Sequence, residues 1–437
     1  LVSVMVFIKQ TRLRKALRAD QQNIIHIVEN KLKGKSQNLL GNYALEDNRE
    51  MMSHLSKIAV TASAKAVASK PEAAAEEPEP AGSVFPSKVS QAESLATGVE
   101  NIESADISED IFREYDIRGV VGDTLNLEQA YIIGKAIGSL AIERGEFNML
   151  VARDGRVSSK DLSSTLIRGL CETGVNVIDL GLVPTPVMYF GTNFLSAGSG
   201  VMVTGSHNPP DYNGFKIVLA GETLKGDDIR GLYQRIAAGQ FSSGEGGKDT
   251  QDISPDYIQR IIDDVQLLKP LKVIIDCGHG VASVVARSLF EALGCDVHTL
   301  YCEVDGKFPN HHPDPGNPEN MVELVETVKT EGADLGIAFD GDGDRLGVVD
   351  SAGNLIMPDR VLMLLAADVL LRNPGGDVIY DVKSTRHLAA HILSSGGRPI
   401  MWKSGHSLMK AKMKETGALL GGEPVSYTHL TLPTTPY

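Results

Sequence analysis

Apolar and polar positions alternate along this chain in two rhythms. Short, mostly apolar runs recur at 149–152, 175–179, 200–203, 215–219, 335–339, 346–349, 378–382 and 399–402. Each is too short for a helix and is bounded by Gly, Pro or charged residues, which predicts buried strands. Between them, 127–144, 160–173 and 407–416 read as helices, and the proline-rich stretch from Leu182 opens another. Strand and helix alternating in this way predict three-layer α/β domains. At 437 residues the chain is too long for one core, so several such domains are expected in series.

The chemistry sits where the strands end. The run 200–203 leads into Thr204-Gly205-Ser206-His207-Asn208-Pro209-Pro210, followed by Asp211-Tyr212-Asn213-Gly214-Phe215-Lys216. Gly205 permits close approach to a ligand, and the two prolines stiffen the exit, so Ser206 sits on a rigid loop suited to a reactive hydroxyl. An ordinary surface turn has the same composition. A second loop changes the balance. Asp340-Gly341-Asp342-Gly343-Asp344-Arg345 lies between the strands at 335–339 and 346–349. Three alternate carboxylates repel one another unless a cation lies among them, and hard oxygen ligands favour magnesium or calcium over zinc. An EF-hand loop would require Gly and Glu where Arg345 and Ser351 stand, which excludes it. A solvated acidic turn is the alternative.

Together TGSHNPPDYNGFK and DGDGDR resemble the α-D-phosphohexomutase superfamily, specifically its bacterial phosphomannomutase/phosphoglucomutase branch, from about Ile111 to Glu423. The resemblance implies an isomerase built of successive α/β domains with mixed sheets. Phospho-Ser206 would pass its phosphate to a hexose monophosphate, giving a hexose 1,6-bisphosphate whose other phosphate returns to the serine. Magnesium would be held by Asp340, Asp342, Asp344 and an oxygen of Ser206. By the same resemblance Arg118, His207, Lys216 and Arg345 surround the reacting group, Tyr115 and Arg118 lying beside the serine. Lys383 and His406 would lie near the substrate, and Glu423 on the sugar-recognition loop. Mannose and glucose phosphates are the expected substrates. A cation-binding scaffold would not require the serine loop, and an aspartate-based phosphatase would have Thr or Val where Asp344 stands.

The domains are expected at 110–251 with the phosphoserine loop, 252–354 with the metal loop and 355–423 for sugar recognition, the last incomplete. After Glu423 the chain departs from the family pattern. Residues 424–437 lack periodicity and look like foreign junction sequence, and the family's fourth domain is expected to be absent. Residues 61–109 are rich in Ala, Ser, Pro and Glu and read as a disordered linker. Residues 1–60 read as a charged helical extension. Its first eight residues are apolar but too short to span a bilayer, and Lys9, Arg12, Arg14, Lys15 and Arg18 follow. This fits equally an amphipathic helix and the end of a membrane anchor with a cytoplasmic flank.

The net charge of −14 argues against a nucleic-acid partner. Four cysteines without CxxC spacing read as buried small hydrophobes in a reducing, cytoplasmic setting. The catalytic core is expected to be monomeric. Gly278 and Gly280 follow a strand, but Ser283 stands where a dinucleotide fingerprint requires its third glycine. Asn310-His311-His312-Pro313-Asp314-Pro315 lacks further ligands at zinc spacing and reads as a polar loop.

Overall fold

The computed structural model describes residues 107–424 and 428–430, with His406, Ser407 and 428–430 described by backbone alone. The extension expected at 1–60, nearly all of the linker at 61–109 and most of the tail lie outside the described residues. Among the described residues no helix is long and apolar enough to cross a membrane.

The first domain runs β1 (Ile117–Val120), α1 (Leu127–Glu143), β2 (Asn148–Arg153), α2 (Ser159–Cys171), β3 (Asn176–Leu182), α3 (Thr185–Phe194), β4 (Gly200–Val203), β5 (Tyr212–Leu219), β6 (Glu222–Thr223), α4 (Asp227–Ala237) and β7 (Lys248–Thr250). Helix α1 starts where Asn126 accepts from the amides of Glu128 and Gln129 while the Gln129 side chain returns to the Asn126 amide. This reciprocal cap satisfies donors that the first turn leaves orphaned. Its apolar stripe, with Ile133 and Ile137, is buried with Leu166 and Leu170 of α2 and with Val151 and Val201 of the sheet. The sheet order is β1-β5-β4-β2-β3-β7, with β6 beside β5. β4, β2, β3 and β7 are parallel, whereas β1 and β4 flank β5 antiparallel, so the sheet is mixed.

The apolar runs read from sequence stop at 215–219 in this domain; the structure adds α4 and β7 after them. β7 escapes a reading based on apolar runs because its three residues are all exposed. It joins β3 through backbone pairing, Lys248 opposite Val177, and through an ion pair from Lys248 Nζ to Asp179 at 3.1 Å.

The second domain contains α5 (Ser254–Asp264), β8 (Lys272–Asp276), α6 (Ala286–Ala292), β9 (Asp296–Leu300), α7 (Val322–Glu331), β10 (Leu335–Phe339), β11 (Leu346–Asp350) and β12 (Leu355–Ile356), in sheet order β12-β11-β10-β8-β9. β10, β8 and β9 are parallel, and β11 returns antiparallel from the aspartate loop.

The third contains α8 (Pro358–Arg372), β13 (Asp377–Asp381), α9 (His387–Ser394), β14 (Arg398–Trp402), α10 (His406–Thr416), β15 (Leu420–Gly422) and β16 (Thr428–Leu430), in order β14-β13-β15-β16. β16 falls inside the tail that sequence periodicity leaves structureless. It pairs antiparallel with β15, Leu420 opposite Leu430, through backbone groups that every residue type but proline supplies.

Candidate active site

Ligand-facing loops in open α/β sheets gather at the carboxyl ends of parallel strands, and here β2, β3, β4 and β10 all deliver residues to one place. The β4–β5 loop holds Ser206, which is 1% exposed with a backbone φ of 50°. That left-handed conformation costs a non-glycine residue about 1–3 kcal/mol and persists only where the surroundings enforce it. Thr204 Oγ1 accepts from the Ser206 amide at 2.7 Å and donates to Asp154 Oδ2 at 2.7 Å. Arg156, just past β2, donates to the carbonyls of Ser206 at 2.8 Å, Asn208 at 2.6 Å, Tyr212 at 3.0 Å and Pro209. Its charge is met by Asp154 at 3.2 Å. One planar guanidinium thus satisfies four carbonyls of the loop.

The β10–β11 loop faces it. Ser206 Oγ donates to Asp340 Oδ2 at 3.2 Å and lies 3.3 Å from His207 Nδ1. Ligand oxygens of Asp340, Asp342 and Asp344 all lie within 4.8 Å of one another. Burial, together with the charges of Asp342 and Asp344, raises the Asp340 carboxyl well above its usual range. Burial acts the same way on Asp342, but the Lys216 ammonium and hydrogen bonds from Lys216 and Thr185 hold it below that range. Lys216 Nζ bridges Asp342 Oδ2 and Asp344 Oδ2 at 2.6 Å each. The remaining oxygens, Asp342 Oδ1 and Asp344 Oδ1, are buried without a hydrogen-bond partner. Unpaired anionic oxygens at such spacing fit a hard divalent cation.

Of the other residues expected at the site, Arg118 is brought in directly. It is 6% exposed and donates to Gly205 O at 3.1 Å, with Asp116 as its charge partner at 2.5 Å. Arg345 Nε lies 3.8 Å from Asp340 Oδ2. His207 is pushed down to about 3, first by burial and then by the charges of Arg345 and Arg118, so its ring is neutral at physiological pH. Tyr115 and Glu423 meet across one loop of the third domain: Tyr115 donates to Ser404 O at 3.2 Å, and Glu423 accepts from the Gly405 amide. Lys383 is exposed just past the carboxyl end of β13. The side chain of His406 lies outside the described part.

Sequence reasoning missed Asp154, Arg156, Thr185 and His312. Thr185 opens α3, donating its amide to Asp342 O at 2.9 Å and its hydroxyl to Asp342 Oδ2 at 2.5 Å. His312 contacts the His207 carbonyl through Nε2, and Phe308 lies under the Arg156 guanidinium at 5.2 Å. The stretch read only as a polar loop therefore also braces the serine loop. Arg153-Asp-Gly-Arg156 at a strand end was a visible signal, but its partners lie about 50 positions away. The cysteines also depart from expectation, since Cys171 and Cys302 are only half-buried.

The chain is similar in sequence and fold to known proteins. Residues 109–243, 255–353 and 357–435 match phosphoglucomutase/phosphomannomutase α/β/α domains I, II and III in turn. A phosphomannomutase/phosphoglucomutase of Pseudomonas aeruginosa is 61% identical over 313 residues, 72% of this chain and 68% of that protein. A phosphoglucomutase of Neisseria gonorrhoeae is 50% identical over 321 residues, 73% of this chain and 70% of its own. The crystal structure of a phosphoglucomutase/phosphomannomutase family protein from Burkholderia thailandensis superposes with a TM-score of 0.73 at 50% identity, covering 75% of this chain and 73% of its own. With three successive domains matched in order around one serine and one aspartate loop, the chain belongs to the phosphoglucomutase/phosphomannomutase family.

Proposed function

We propose that this chain is a phosphohexomutase, an isomerase that interconverts the 1-phosphate and 6-phosphate of glucose or mannose through a phosphate carried on Ser206. The observation that carries this reading is the Ser206 hydroxyl held 3.2 Å from Asp340, in a cluster of three carboxylates with unpaired buried oxygens. The sugars follow the names of the relatives.

Phosphoryl transfer depends on positioning and charge stabilisation more than on covalent chemistry. Magnesium, held by Asp340, Asp342 and Asp344, would neutralise charge on the transferred group. The chain's own residues do the rest. Thr204, Arg156 and Asp154 fix the serine loop, so Ser206 Oγ points at the cluster at no cost in reorganisation. Arg118, which contacts Gly205 O, and Arg345, beside Asp340, are assigned to supply fixed positive charge to the phosphoryl group. The substrate hydroxyl gives up its proton as its oxygen takes the phosphoryl group, and Ser206 Oγ gains one. Neutral His207, 3.3 Å from that oxygen, and Lys216 are assigned to hold or move these protons. The hexose 1,6-bisphosphate then turns over in the cleft and returns its other phosphate to Ser206. Tyr115, Glu423, Lys383 and His406 are assigned to the sugar and its distal phosphate.

The test is to incubate the chain with hexose 1,6-bisphosphate and map the phosphate. Phosphate on Ser206 with release of hexose monophosphate, both lost in Ser206→Ala, supports the reading. Phosphate elsewhere, or free inorganic phosphate as the sole product, overturns it.

A further inference from the structure

Cys277 and Cys302 take no part in the chemistry above, yet the fold sets them side by side. β8 and β9 are parallel neighbours with Asp276 opposite Leu300, and the Cys277 amide donates to Leu300 O at 3.1 Å. Cys277 follows β8 directly and Cys302 lies two positions past β9, so the two meet where these strands end. The thiols face each other there, with Cys302 Sγ 2.7 Å from Cys277 Sγ. Cys277 is buried and Cys302 half-buried, so a reagent reaches Cys302 first.

Both flanks of the pair run to the active site. Beyond Cys277, the Val281 amide donates to Gly341 O at 3.1 Å inside the aspartate loop. Beyond Cys302, Val304 Cγ1 occupies the space a side chain at Gly155 would take, Phe308 lies under Arg156, and His312 contacts the His207 carbonyl. A bond between the sulfurs would join the segment braced on the aspartate loop to the segment braced on the serine loop.

We propose that Cys277 and Cys302 are a disulfide-forming pair, closed by exchange with a small disulfide such as oxidised glutathione. The Cys302 thiolate attacks one glutathione sulfur, the glutathione disulfide breaks, and one glutathione leaves as thiolate. Cys277 then loses its proton to solvent and attacks Cys302 Sγ, expelling the second glutathione thiolate. Two protein thiols are oxidised, and one glutathione disulfide is reduced to two thiols.

Exposing the folded full chain to oxidised glutathione, followed by acid quench and peptide mapping, tests this. The expected product is one disulfide joining the Cys277 and Cys302 peptides, two hydrogens lighter than the dithiol, with Cys171 and Cys295 still free for alkylation after unfolding. Its thermal midpoint should rise, and dithiothreitol should reverse both changes. Cys277→Ser should stop at a single glutathione on Cys302, and Cys302→Ser should leave Cys277 unmodified. A lasting glutathione adduct on Cys302 of the unaltered chain, a disulfide between two chains, or free thiols at both positions would overturn the proposal.

Discussion

Ser206 and Asp340 come from different domains, 134 positions apart, and their side chains meet at 3.2 Å. Neither loop holds this meeting by itself. The serine side rests on Arg156 and Asp154, the aspartate side on Thr185 and Lys216, and each support can be removed separately.

Thr185 orients the Asp342 carboxylate through a 2.5 Å hydrogen bond to the oxygen that Lys216 also contacts. Partners of metal-binding carboxylates typically contribute about 10–100-fold in metal affinity. Thr185→Val keeps the shape and removes the hydroxyl, so magnesium affinity measured by titration calorimetry should fall within that range. An unchanged affinity would remove Asp342 from the proposed metal site.

Arg156 and Asp154 form an ion pair with side-chain exposures of 0% and 1%. Deleting one partner of a buried pair leaves an uncompensated charge and costs about 3–5 kcal/mol. Arg156→Met should destabilise the first domain by that order in calorimetric unfolding. Arg144→Ala, which breaks a pair with Asp228 exposed by 35% and 41%, should cost less than about 1 kcal/mol.

His311 Nε2 lies 3.0 Å from Asp276 Oδ2. Burial acts to lower its pKa, but the hydrogen bond and charge of Asp276 outweigh burial, and the net shift is upward. The folded state therefore holds this proton more tightly than the unfolded chain, whose histidine titrates near about 6.5. The contribution is complete below that value and is lost as pH rises through the folded pKa. His311→Gln should lower the melting temperature more at pH about 5.5 than at pH about 9. Equal losses at both would show that the pair does not depend on the proton.

Gly341 stands directly against the serine loop. A Cβ there would lie 2.5 Å from the Ser206 carbonyl oxygen, closer than real Cβ contacts come. Gly341→Ala should cost about 1–3 kcal/mol as overpacking and push the two loops apart. Phosphate transfer to Ser206, measured with hexose 1,6-bisphosphate, should fall with it. Full transfer at unchanged stability would show that the loops can separate without consequence.

By itself the sequence determined the strands at 200–203 and 335–339, the serine and aspartate loops at their ends and the alternation that makes each domain α/β. These are local properties: an apolar run tends to be buried, glycine and proline bend or stiffen the chain, and three alternate carboxylates favour a cation among them. Resemblance then supplied the family and the expected roles of distant residues. Only the tertiary structure decided what supports the site. Arg156 reads in sequence as any arginine after a strand, and Thr185 as any residue opening a helix. Their importance lies in hydrogen bonds to partners 50 and 157 positions away, which no local pattern encodes. β7 and β16 were invisible for the same reason. Backbone pairing places them at their sheet edges, and every residue but proline brings the same donor and acceptor there.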